Sequence, residues 1–271
     1  MRPRSSALVL VVFICSASLL ASQTQTVSGG PAPRSAQALS TLHSAMMAFG
    51  ERSTTTDVTL SGKARRLAGS IDETGTAVLK ALATGETRLD FDFPSGAQSE
   101  VILRSPKGPV GQWSGPDGKV HEMKQHNLAT DAAWFFPVLF LRRAASSAEF
   151  GLAHLGTENR DGKVVEHLST TRQFSEMPPG IAPLMESLSQ SEVYLDAATL
   201  LPASITFNTH PDNDALRKMP TEIRFSDYRS VNGTQVPHHV QKYVNGGLVL
   251  DLQFDTVSLN TGLSSRAFNL Q

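Results

Sequence analysis

The sequence predicts an α+β fold in which a strongly curved antiparallel sheet is wrapped around, or capped by, helices. Three observations carry this expectation. From about residue 55 apolar side chains recur at every second position, Asp-Gly and Asn-Gly pairs punctuate the alternation, and three helical patterns each need an apolar partner. With 271 residues, 40% hydrophobic and 18% charged, the chain is too apolar and too weakly charged for a disordered protein. It also lacks the several apolar runs of roughly 20 residues that a bundle of membrane-spanning helices requires. No internal repeat or composition break divides it, so residues 35–271 are expected to form one domain.

The N-terminus predicts export. Arg2 and Arg4 precede an apolar stretch from Ala7 to Ala21, which has the charge and length of a signal peptide. Residues 1–22 are assigned to that signal and 23–34 to a flexible lead-in, placing the mature protein in the periplasm or outside the cell. Cys15 lies inside the apolar stretch with Ile14 before it, which argues against lipid attachment there. Removal of the signal takes away the one cysteine, and stability must then come from a core rather than from disulfides. It also takes away Arg2 and Arg4 and no acidic residue, moving the formal charge from −1 to −3. That balance offers nothing to a nucleic acid or an anionic membrane.

Leu39, Leu42, Met46 and Phe49 fall at helical spacing, and Gly50 follows, so residues 35–49 read as an amphipathic helix. Strands follow. Leu89, Phe91 and Phe93 alternate with Asp90 and Asp92, Ile223 and Phe225 flank Arg224, and Leu248, Leu250, Leu252 and Phe254 alternate with their neighbours. Asp117-Gly118, Asp161-Gly162, Asn232-Gly233, Asn245-Gly246 and Pro94-Ser95-Gly96 supply the reversals, which makes neighbouring strands antiparallel. After Phe254 the apolar residues resume at Val257, a step of three, which predicts a bulge near Asp255 and Thr256. Two segments break the pattern. Ala132 to Leu141 is apolar on every side and follows Asp131, a plausible cap, so it reads as a short buried helix bent at Pro137. Met177 to Leu188 places Ile181, Leu184, Met185 and Leu188 on one helical face.

Catalytic and metal-binding patterns are weak. His121 and His126 are one residue too far apart for the zinc-protease helix, and the adjacent His238 and His239 of one strand point to opposite faces. Ser114 sits one place late for a hydrolase serine turn, and the closest carboxylates, Asp90 with Asp92 and Asp251 with Asp255, lie opposite apolar faces and read as solvated. No cofactor, metal or catalytic residue is expected, and a hydrolase would need scattered Ser, His and Asp to converge in space.

Residues 191–207 (SEVYLDAATLLPASITF), 223–246 (IRFSDYRSVNGTQVPHHVQKYVNG) and 248–270 (LVLDLQFDTVSLNTGLSSRAFNL) carry a resemblance to a known family. Their succession of strand, Leu-Pro strand, aspartate-tyrosine hairpin and final Leu-Asn strand resembles the periplasmic lipoprotein-carrier, or LolA-like, family, as does the amphipathic helix after an export signal. The resemblance implies an open, unclosed β-barrel with a helical lid, an apolar cavity for the acyl chain of a lipid or lipoprotein, transient membrane contact and no catalysis. The chain is longer than a minimal carrier, partly through the insertion around Pro178, and no ligand-contacting residue of the family maps onto a position here. Candidate lipid-contacting or lid residues are Trp134, Phe135, Phe136 and Phe140, then Ile181, Leu184 and Met185 of the insertion, and Leu250, Leu252 and Phe254 of the last strand pattern. Each also reads as ordinary core. Relatives on this fold leave a second function open, an envelope interaction or stress-sensing module with a protein partner and no bound lipid.

Overall fold

The computed structural model describes residues 32–50, 55–105, 108–130 and 132–269. The expected signal, the lead-in as far as residue 31, the Asp131 cap and Leu270-Gln271 lie outside the described residues.

Thirteen strands among the described residues pair into one antiparallel sheet. A first meander runs β1 (Asp57–Ala68), β2 (Ile71–Leu82), β3 (Thr87–Phe93), β4 (Gly96–Ser105), β5 (Gly108–Ser114) and β6 (Val120–Glu122). A second runs β7 (Phe150–Arg160), β8 (Lys163–Arg172), β9 (Ser191–Asp196), β10 (Pro202–Thr209), β11 (Met219–Val231), β12 (Thr234–Val244) and β13 (Gly247–Leu259). β1 pairs with β13 and joins the two wings, leaving β6 and β7 as the outer edges of an unclosed barrel. The turn chemistry explains the meander. Asp161-Gly162, Asn232-Gly233 and Asn245-Gly246 all hold both residues at positive φ, from 51° to 87°, as the two-residue turns that match strand twist demand.

Curvature comes from bulges. The β1–β13 register slips between Ser61 and Gly62, opposite Thr256 and Phe254, and leaves Asp255 as the extra residue where the three-residue apolar step predicts it. At Gly62 the strands approach so closely that a Cβ would stand 2.0 Å from the Gln253 carbonyl oxygen, which is why this position carries no side chain. Further slips occur between Lys242 and Tyr243, Pro202 and Ser204, and His154 and Gly156.

Three helices lie with the sheet. The first, α1 (Ala36–Ala48), starts at Ser35, whose side chain accepts the Ala38 N–H, and buries Ala38, Leu42 and Ala45. The second, α2 (Pro137–Ser146), corrects one expectation: the helix begins at Pro137 instead of bending there. Proline lacks the N–H that a helix interior needs and disfavours helical backbone in the residue before it, and Phe136 accordingly sits at φ −133°, ψ 83°. Residues 132–135 form a turn. The third, α3 (Ala182–Leu188), is likewise shorter than the Met177–Leu188 pattern, because the Pro178-Pro179-Gly180 stretch forms the turn ahead of it. Ala32 to Arg34 are fastened to the body: Pro33 accepts the Leu152 N–H, and the Arg34 guanidinium donates to the carbonyls of Ala144 and Ala145 at 2.7 and 2.6 Å. Those contacts satisfy carbonyls that the end of α2 would leave orphaned.

The core fills the concave side. Phe49, Phe135, Phe136, Leu139 and Leu141 are each fully buried there, against inward rows of the sheet. Directly paired residues share a face, so one row runs Leu60, Leu79, Leu89, Glu100 and Trp113 across β1 to β5. A second runs Leu250, Lys242, Ile223, Ile205, Val193 and Leu168 across β13 to β8. Each row is apolar but for one charged side chain.

Candidate functional site

Those two charged residues meet at the same place. Glu100 and Lys242 line a cleft of about 330 Å³ at the mouth of the sheet, together with Trp113, Trp134, Phe207 and Met219 and the polar edge formed by Asn127 and His210. The segment before α2 sets one wall, β4 and β5 a second, and β10 to β12 a third. Asn127 ties the walls together, its side chain accepting the His210 backbone N–H and donating to the Asp212 carboxylate at 3.0 Å.

The electrostatics of this cleft are unusual. Among the described residues neither the Glu100 nor the Lys242 side chain has a hydrogen bond or an ion pair, and the two do not reach each other; the Lys242 ammonium instead lies 5.0 Å from the centre of the Trp134 ring. Both side chains are half-buried by surface exposure, yet the walls enclose them. Burial therefore pushes the Glu100 carboxyl above the ordinary carboxylate range, with Lys242 pulling part of the way back. Burial likewise lowers Lys242, with Glu100 restoring part of the loss. His210 adds a third unsatisfied group. Its Nδ1 faces the Arg217 carbonyl at 3.1 Å and so carries the proton, which leaves Nε2 an acceptor, buried and without a partner. Desolvation holds that imidazole below the usual histidine range, and His126 and Lys218 add to the effect.

The ten candidate residues distribute unevenly. Trp134 lines the cleft, while Phe135, Phe136, Phe140, Leu252 and Phe254 lie in the packed core and Leu250 packs partly buried against it. Met185 belongs to a small second cluster with Ala129, Phe174 and Leu188. Ile181 and Leu184, at 48% and 39% exposure, face outward. Beside Phe140 and Phe150 lies a pocket of about 40 Å³, room for a water and not for a chain. Glu100, Lys242 and His210 escape a reading that searches for apolar lid residues. A signal exists for one of them: the period of two puts Lys242 on the same side as Val240 and Val244, where an apolar residue is expected.

The structure does assemble one Ser, His and Asp. Ser226 Oγ lies 3.0 Å from His239 Nδ1, and His239 Nε2 lies 2.9 Å from Asp251. The trio sits on the outward sheet face, with Ser226 exposed and the two imidazole nitrogens exchanged relative to the usual nucleophilic arrangement. Ser226 and His239 are directly paired across β11 and β12, and the contacts read as a cross-strand polar ladder. His238 points the other way, its Nδ1–H donating to the Phe254 carbonyl at 2.8 Å. Among the described residues no cluster of His, Cys, Asp and Glu could hold a metal, and no helix is long and apolar enough to cross a membrane.

No protein-family model matches the sequence, and no curated protein matches it either. Solved structures do resemble the fold. A domain named for outer membrane lipoprotein sorting, from Vibrio parahaemolyticus, superposes with a TM-score of 0.55 at 16% identity, covering 84% of this chain and 95% of its own. A LolA superfamily protein from Nitrosomonas europaea and a DUF1329 family protein from Desulfovibrio piger each give 0.53 at 12% identity, covering 86% of this chain and 97% of theirs. At such identities the likeness establishes architecture: the chain has the LolA-like fold, an open antiparallel barrel with helices on its concave side.

Proposed function

We propose that the protein is a non-enzymatic, exported carrier that shelters the acyl chain of a lipid or lipoprotein. The observation that carries this reading is the 330 Å³ cleft, which falls within the roughly 300–1,000 Å³ range of ligand sites and is lined in half by apolar and aromatic side chains. Each methylene taken out of water is worth about 0.8 kcal/mol, so even a short acyl segment against Trp113, Trp134, Phe207 and Met219 yields useful affinity. A chain of about 14 carbons offers on the order of 10 kcal/mol before ordering costs. Admitting that length requires the 132–136 turn and α2 to move outward from the packed core, and this is the role proposed for Phe135, Phe136 and Phe140 as a lid. Leu250, Leu252 and Phe254 then form the floor, and the insertion flanks the mouth, with Met185 packed inside it and Ile181 and Leu184 facing outward.

Protein prepared without detergent should release extractable lipid detected by mass spectrometry, and should take up a fluorescent fatty acid that unlabelled fatty acid displaces. Absence of both overturns the carrier reading. The packed centre favours a second one, an envelope interaction or stress-sensing module without lipid. Recovery of one stoichiometric envelope protein by lipid-free material, with no lipid uptake, would select it.

A further inference from the structure

We infer that the cleft recognises a dipolar headgroup, a primary ammonium against Glu100 and a phosphate against Lys242, as in an ethanolamine phospholipid. This rests on the carrier reading and names the ligand class for it.

Glu100 on β4 and Lys242 on β12 stand at inward positions of two otherwise apolar rows. They come from opposite wings of the sheet and line one cleft, and among the described residues neither has a hydrogen-bonded or ionic partner. Two half-buried charges left apart carry part of a desolvation cost that direct pairing would offset, and the two side chains do not reach each other. A ligand bearing both complementary charges removes the cost at both ends. A fatty acid would satisfy Lys242 and set a second carboxylate beside Glu100, and an alkylamine would do the reverse. An anionic phospholipid without an amine leaves Glu100 unanswered.

His210 points independently to a donor-bearing ligand. The residue is 4% exposed, lines the same cleft, and keeps Nε2 as a buried acceptor without a partner. A primary ammonium carries three N–H donors, enough for a carboxylate and an imidazole together, whereas a trimethylated one has none. Trp113, Trp134 and Phe207 supply apolar wall for the first methylenes beyond the headgroup.

The test is isothermal titration calorimetry on the whole protein with dioctanoyl phosphatidylethanolamine, dioctanoyl phosphatidylglycerol, octanoate and free phosphoethanolamine. Wild type should prefer the ethanolamine lipid over the glycerol lipid by at least tenfold. Glu100→Gln should abolish that preference while still binding the glycerol lipid, and Lys242→Met should weaken both lipids and octanoate alike, with a cooperative urea-unfolding transition showing that the variant is folded. Equal affinity for the two lipids in wild type, or a preference that survives Glu100→Gln, overturns the headgroup assignment and leaves the carrier intact. Failure of every amphiphile, octanoate included, overturns the carrier reading instead. Phosphoethanolamine binding as tightly as its lipid upholds the dipolar recognition and assigns it to a soluble ligand.

Discussion

The Lys242 ammonium rests 5.0 Å from the centre of the Trp134 ring, and this contact is the one partner it has among the described residues. An aromatic face compensates a desolvated cation by about 0.5–2 kcal/mol, less than a carboxylate in contact would. The cleft therefore holds two charges that the protein's own side chains do not pair. Exchanging both charged groups, in a Glu100→Gln/Lys242→Met double variant, should leave the protein at least as stable as wild type in urea unfolding.

Both tryptophans of the chain line the cleft, so intrinsic emission reports on occupancy. Trp113 is 38% exposed and stacks on His121 at 4.4 Å, whereas Trp134 is already buried. Ligand uptake should shift emission to shorter wavelength, and Trp113→Phe should remove most of that shift while Trp134→Phe preserves it.

Asp57 fastens the start of β1 to the segment after β13. Burial pushes its carboxyl up, but N–H donors from Thr261 and Gly262 and hydroxyls from Thr261 and Thr56 more than offset this and hold it below the ordinary carboxylate range. A depressed folded value means the stabilisation is complete above the unfolded pKa of about 3.9 and is lost as pH falls through the folded one. Asp57→Asn should cost about 1–3 kcal/mol at pH 7, and the difference from wild type should shrink in urea melts below pH 4.

Tyr228 donates its hydroxyl to the Pro202 carbonyl at 2.8 Å, at the β9–β10 slip, and packs edge-on to Phe49. Burial raises this phenol well above its usual range. In an absorbance titration one of the three tyrosines should ionise only with alkaline unfolding, and Tyr228→Phe should cost about 1–3 kcal/mol by orphaning the carbonyl.

The candidate lid separates by burial. Phe135→Ala, at a fully buried site, should cost about 3–5 kcal/mol, while Ile181→Ala, at an outward one, should stay within about 0.5 kcal/mol. Thermal melts of the two variants check this directly.

Local chemistry made the sheet legible. The turns at Asp161-Gly162, Asn232-Gly233 and Asn245-Gly246, the three-residue step at Asp255 and the helix expected over residues 35–49 are fixed within a few residues of chain, and the structure places each where the pattern does, whereas at Asp117-Gly118 only the glycine takes positive φ. Pro137 misled because a proline inside an apolar run is compatible with both a bend and a start; the unhelical backbone at Phe136 decides between them. Glu100 and Lys242 depend on a relation 142 residues apart in sequence, between two wings that local periodicity cannot align. That Ser226, His239 and Asp251 converge was equally invisible, and the same alignment shows the trio to face outward.

The pairing of β1 with β13 puts the earliest and latest strands side by side at the centre of the sheet. A chain emerging N-terminus first can assemble each wing as it appears, but β1 keeps one flank without a neighbour until residues 247–259 arrive. Long-range closure of this kind is slow, because the loop entropy falls due before the contacts form. Closure of the centre thus waits for β13, and the two wings, each able to pair within itself, become one sheet in that last step.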